Sequence, residues 1–192
     1  MSWRSDPSRP GPDMHFLCVP FPFYPPHFQA PPNGYTLEIA TVPDSRGWLR
    51  LASADPTAPP LINPRYLAED SDVQRLLLGL RKARELNTAN AFSEWGPREA
   101  LPGDHIQDEK GLRDYIAQAT TQFFHLVGTC KMGTDDRAVV DPQLRVHGIE
   151  GLRVADASVI PTIPSVNTNP AAIMIGEKAA DLIMHPASDG RP

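Results

Sequence analysis

The first third of the chain reads as short strands, because apolar residues come in brief runs or alternate with polar ones. Met14-His15-Phe16-Leu17-Cys18-Val19 is a strand closed by the proline- and aromatic-rich stretch 20–32. Over 35–42 Leu37 and Ile39 alternate with Glu38, Pro43-Asp44-Ser45-Arg46-Gly47 makes a turn, and 48–53 alternates again. That pattern predicts an antiparallel hairpin with one buried face. The period then lengthens. Ser71-Asp72-Val73-Gln74 has the spacing of a capping box, and Val73, Leu76, Leu77, Leu80 and Ala83 recur on one helical face. Leu112, Tyr115, Ile116 and Ala119 repeat this in a second helix started by Asp108. A third helix opens with Asn169 as N-cap and Pro170 at the first helical position, where the missing N–H is not needed. Ile175, Ala179, Leu182 and Ile183 form its buried stripe, with Glu177, Lys178 and Asp181 facing outward.

Composition adds constraints. The 22 prolines among 192 residues favour extended loops and short strands over a helical bundle, so the expected class is α+β. Residues 1–12 show no periodicity and are expected to be a loose tail; 13–124 should form one domain and 125–192 a second portion. A formal charge of −5, with no cluster of Lys and Arg, argues against nucleic acid as a partner. No apolar run approaches the roughly 20 residues that span a bilayer, and 1–12 lacks the make-up of a secretion signal, so no membrane partner and a cytoplasmic location are expected. Cys18 and Cys130 have no metal-type spacing and are expected to be unpaired. The six dispersed histidines form no metal-ligand motif, so no metal is expected.

Chemistry concentrates near the C-terminus. His125 stands in His-Leu-Val-Gly-Thr-Cys-Lys-Met-Gly, and imidazole is the side chain suited to accepting a proton near neutrality. Asn167, in Ser-Val-Asn-Thr-Asn-Pro, could hydrogen-bond a substrate oxygen, or simply form a turn. Asp156 follows a short apolar strand, Leu152-Arg153-Val154-Ala155, and could accept bonds from cofactor hydroxyls or cap a turn. The free N–H groups of Ala171 and Ala172 at the third helix's start favour negative charge. Two other readings use the same residues: Cys130 with His125 as a nucleophile, and Ser158, Asp156 and His125 as a triad. No G-x-S-x-G elbow supports the second, and nothing marks a reactive thiol for the first.

His125–Gly133, Gly151–Ser158 and Ser165–Pro170, in that order, resemble the C-terminal signature of the glucose-methanol-choline (GMC) flavin oxidoreductases, in a choline dehydrogenase-like form. The stretch from Gly47-Trp48-Leu49-Arg50 to Asn63-Pro64-Arg65-Tyr66-Leu67 is similar to that family's substrate-domain pattern. The resemblance implies FAD as cofactor and a small-molecule alcohol as substrate. It implies His125 as the base and Asn167 as its partner, in a His/Asn variant of the pair. Asp156 and Ala157 would line the FAD site, and Asn169, Pro170 and Ala171 would present the helix end to the flavin. In the full enzyme the class would be α/β, with 125–192 supplying the C-terminal strand and helix of an FAD-binding domain. The family's Gly-rich ADP-binding motif does not occur in these 192 residues, so a separate N-terminal FAD-binding segment is the expected partner, the isolated chain is expected to be inactive, and a truncated non-catalytic remnant is the alternative.

Overall fold

The computed structural model describes residues 1–185, which fall into two units, 1–121 and a second beginning at Gln122. In the first unit, strand β2 (Met14–Val19) is the middle of a three-stranded antiparallel sheet between β1 (Ser2–Trp3) and β3 (Thr36–Thr41). The register sets Trp3 opposite Met14 and Phe16 opposite Ile39. The expected loose tail is therefore corrected: its first residues are an edge strand. Backbone pairing holds it, with the N-terminal ammonium donating to the Phe16 carbonyl at 2.7 Å, and so does buried Asp13, which accepts from the Ser5 N–H at 2.7 Å and pairs with Arg9 at 3.0 Å.

Helix α1 (Asp70–Asn87) lies on this sheet. Gly79 makes the close approach possible: a Cβ there would come within 2.6 Å of Met14 Cε and 2.7 Å of Ile39 Cγ2. The other side of α1 meets α2 (Glu109–Ala119), where Leu77, Leu112 and Ile116 are buried with Val73, Leu76 and Leu80 around them. Asp108 caps α2 as expected, accepting the Gly111 N–H at 2.9 Å.

Two local expectations fail for one reason. Ser71 does not cap α1, whose N-cap is Glu69 with no side-chain bond, and 35–53 is not a hairpin. Instead the turn between the expected strands docks on the helix start. Asp72 is buried and accepts the N–H groups of Asp44 and Ser45 at 2.7 and 3.0 Å; Ser71 Oγ donates to Asp44, and Arg75 bridges Asp44 and Asp72. With the turn held this way, β4 (Trp48–Arg50) pairs antiparallel with β5 (Leu61–Asn63) rather than with β3. Burial pushes the Asp72 carboxyl up, but hydrogen bonds from Ser45, Asp44 and Arg75 overcome it and hold the group below the ordinary carboxylate range. Ser71 and Arg75 hold Asp44 low in the same way.

The second unit contains a 3₁₀ turn, Ala157–Val159, and helix α3, Asn169–Met184. Val140, Leu144, Val159, Ile175 and Ala179 form its buried core. The expected strand over 152–155 is reduced to one bridge, Arg153 to Arg145, flanked by the bonds Val146 N–H to Leu152 and Val154 N–H to Leu144. Its partner segment cannot stay extended, because Leu144 sits at φ +65° and Asp141 folds the chain through its bonds to Gln143 and Arg145. Ile183 is also corrected: it is 63% exposed, while Ile175, Ala179 and Leu182 face the core. Among the described residues no helix is long and apolar enough to cross a membrane.

Candidate active site

His125 sits on a loop between Phe124, at φ +60°, and Gly128, at φ +87°. Two backbone bonds fasten the continuation of this loop to the 3₁₀ turn: Cys130 N–H to the Ser158 carbonyl at 3.0 Å and Met132 N–H to the Val159 carbonyl at 2.8 Å. The turn lies against α3. His125, the start of the turn and the start of α3 are thus parts of one small framework anchored in the core through Met132 and Val159.

The half-buried imidazole reaches the segment before α3. His125 Nε2 lies 2.8 Å from Asn167 Nδ2, and Nδ1 lies 3.0 Å from Thr168 Oγ1. The Thr168 N–H also approaches Nδ1, at 3.4 Å. The Phe123 ring meets the imidazole edge-on, with centroids 5.6 Å apart. Asn167 is exposed, so this pair faces outward with an imidazole nitrogen and a carboxamide side by side.

Thr168, not Asn169, is the N-cap of α3, and its backbone lies in the helical region at φ −76° and ψ −12°. Capping side chains ordinarily hang from an extended residue; here the Thr168 hydroxyl makes no cap bond and turns to His125 instead, forgoing about 1 kcal/mol of helix stabilisation. Its carbonyl accepts the Ala172 N–H at 2.9 Å, so the Ala172 N–H is not free as expected. Asn169 and Ala171 carry the N–H groups that make no hydrogen bond within the described residues, and Pro170 has none to offer.

Asp156 and Ala157 open the 3₁₀ turn. The exposed Asp156 carboxylate accepts the Ser158 N–H at 2.7 Å, and Ser158 beside it holds it below the ordinary carboxylate range. A triad is not assembled, because both imidazole nitrogens are engaged by Thr168 and Asn167 while Asp156 turns to Ser158. The same occupancy leaves no ring nitrogen for Cys130, and both cysteines are free thiols. No group of three or more metal-ligating side chains occurs among the described residues. The residue that sequence reasoning missed is Thr168. Its signal was a capping-type side chain directly before Asn-Pro, pointing at the wrong position for the cap.

An antiparallel α+β unit is followed along the chain by a unit that carries a His/Asn pair at a helix start. Residues 43–176 match the family GMC oxidoreductase, and the chain belongs to that family. Choline oxidase of Arthrobacter globiformis is 42% identical over 182 residues, covering 91% of this chain and 33% of the relative. Among solved structures, pyridoxine 4-oxidase from Mesorbium loti has a TM-score of 0.84 at 30% identity, over 92% of this chain and 35% of that one. An Aspergillus oryzae formate oxidase, described with its FAD modification, has a TM-score of 0.79 at 32% identity, over 91% and 32%. The chain spans about a third of the length of the curated relatives it matches.

Proposed function

We propose that this chain is the C-terminal, active-site-bearing part of an FAD-dependent oxidoreductase that converts a CH–OH group to a carbonyl. The observation that carries the reading is the His125–Asn167 pair, 2.8 Å apart at the start of α3. FAD is named with the formate oxidase among the solved relatives, and this chain's groups suit it. Asp156 offers an exposed carboxylate to donor hydroxyls, Ala157 lies beside it, and the unbonded N–H groups of Asn169 and Ala171, on either side of Pro170, suit negative charge at the helix start. When bound, FAD supplies the hydride acceptor for the substrate C–H bond.

The rest belongs to the chain's own side chains. A substrate hydroxyl entering between the paired groups meets His125 Nε2, which takes its proton, and Asn167 Nδ2, which donates to the oxygen as it gains alkoxide character. One oxygen then replaces the direct His125–Asn167 contact without loss of a hydrogen bond. Phe123 packs against the imidazole edge-on and helps fix its plane. Residues 13–124 are read as the substrate-binding domain and 125–192 as the FAD-side portion. The Gly-rich ADP-binding segment is supplied from outside these residues, on the same or a separate polypeptide.

The experiment joins the chain to such a segment and measures alcohol-dependent flavin reduction. His125→Ala should lower kcat by roughly a hundredfold or more, the scale of a lost general base, with FAD still bound. Near-normal reduction in that variant would remove His125 from the role. Bound FAD that no alcohol reduces would favour the non-catalytic remnant.

A further inference from the structure

The connection between β2 and β3 contains Asn33-Gly34, and both residues are exposed. Gly34 sits at φ +142°, and beyond its chain neighbours no atom lies within 4 Å of where a Cβ would stand. Within the described residues neither the Asn33 carboxamide nor the Gly34 N–H makes a hydrogen bond. An asparagine carboxamide carbon can close a five-membered ring on the backbone nitrogen of the next residue, and a missing Cβ with a free N–H is what lets that nitrogen approach. The other asparagines lack this combination. Asn63 and Asn169 precede prolines, which carry no N–H. The N–H after Asn87 is held by the Arg84 and Glu85 carbonyls, and the N–H after Asn167 donates to His125. Asn90 opens a 3₁₀ helix, Asn90–Trp95, and is followed by Ala91 with its Cβ.

We propose that Asn33 is a site of spontaneous deamidation, a modification that the chain undergoes without an enzyme. The Gly34 amide nitrogen gives its proton to solvent base and bonds to Asn33 Cγ; the bond from Cγ to its NH2 group breaks, and ammonia leaves with a proton from solvent. Water then opens the imide ring. Attack at the former carboxamide carbon gives aspartate, and attack at the backbone carbonyl gives isoaspartate, whose main chain runs through Cβ and Cγ and is one carbon longer. Nothing is oxidised or reduced, and the net change is an NH2 group exchanged for OH. Either product adds one negative charge to the formal −5 of the chain. The isoaspartate form also lengthens the backbone just before Tyr35, whose hydroxyl donates to Asn87 at the end of α1 and whose ring stacks on Phe92 with centroids 5.6 Å apart.

The test needs no turnover and no cofactor. The full chain is kept in mildly alkaline buffer, where backbone nitrogens lose protons more readily, and is followed by peptide mass spectrometry and ion exchange. A parallel sample is unfolded in guanidinium chloride, which releases every asparagine from its surroundings. In the folded chain the peptide holding Asn33 should gain the mass of the NH2-to-OH exchange, with a matching acidic species on ion exchange, while Asn87, Asn90 and Asn167 stay intact. Asn33→Gln, whose longer side chain would need a larger ring, should abolish the acidic species. A folded chain that keeps Asn33 intact over the time in which the unfolded chain converts it would overturn the proposal, because the loop would then hold the two groups apart. So would conversion of another asparagine ahead of Asn33, or an acidic species that persists undiminished in Asn33→Gln.

Discussion

At the scale of the residue, polar side chains do opposite work in the two units. Asn167 leaves its amide exposed, so Asn167→Ala should not alter folding; in the assembled enzyme it should lower kcat by about a hundredfold, as loss of an oxyanion donor does, with a smaller effect on KM. Asp72 is buried and serves stability. Asp72→Asn keeps its shape but strips Arg75 of one of two carboxylate partners, and should cost roughly 3 kcal/mol at pH 7, the low end for breaking a buried pair, as read from urea unfolding. The sign with pH follows from the direction of its shift. A carboxyl held low in the folded state contributes fully above the ordinary carboxylate range near 4 and loses that contribution as pH falls through its native value. The natural chain should therefore lose stability steeply on acidification below about pH 4, and Asp72→Asn should show a shallower fall. Equal slopes for the two proteins would mean that Asp72 is not what acid unfolds.

Among elements, α1 shows how a local rule can be overruled. Alanine is a better helix former than glycine by about 1 kcal/mol, yet Gly79→Ala should destabilise the first unit. The added methyl would lie 2.7 Å from Ile39 Cγ2, a branch close to its backbone, and overpacking of this kind costs about 1–3 kcal/mol. A raised melting temperature would show that Met14 and Ile39 give way easily. The same helix marks how far sequence could be read. The stripe from Val73 to Leu80 follows from period alone, as do β2 and the Asp108 cap, because each depends on neighbours within a turn or two. The docking of Asp44 and Ser45 onto Asp72 was not legible, since it joins residues 28 and 27 positions apart and spends Ser71 and Asp72 on tertiary bonds where a capping box would spend them locally. In the site, the resemblance singled out His125 and Asn167, where residue types alone left Asn167 open as a turn residue. Their approach across 42 positions, and the diversion of Thr168 from the cap, depend on the 3₁₀ turn that ties the His125 loop to the core beside α3.

On the scale of the whole molecule, the chain holds the proposed base and the helix end but matches only about a third of its relatives' length. Purified alone, it should be colourless and should not oxidise alcohols, because the contacts it offers FAD are few and open to water; stoichiometric flavin absorbance after gel filtration would overturn this. Helix α3 buries Ile175 and Ala179, yet Ile173, Met174, Ile183 and Met184 are 59%, 59%, 63% and 68% exposed, standing beside the charged Glu177, Lys178 and Asp181. Two of those four residues are methionines, whose thioethers take up oxygen in proportion to their accessibility. Brief treatment with dilute peroxide should therefore convert Met174 and Met184 to sulfoxides well before buried Met14, and a flavin-binding segment that closes over α3 would slow both, turning the helix into its own recorder of assembly.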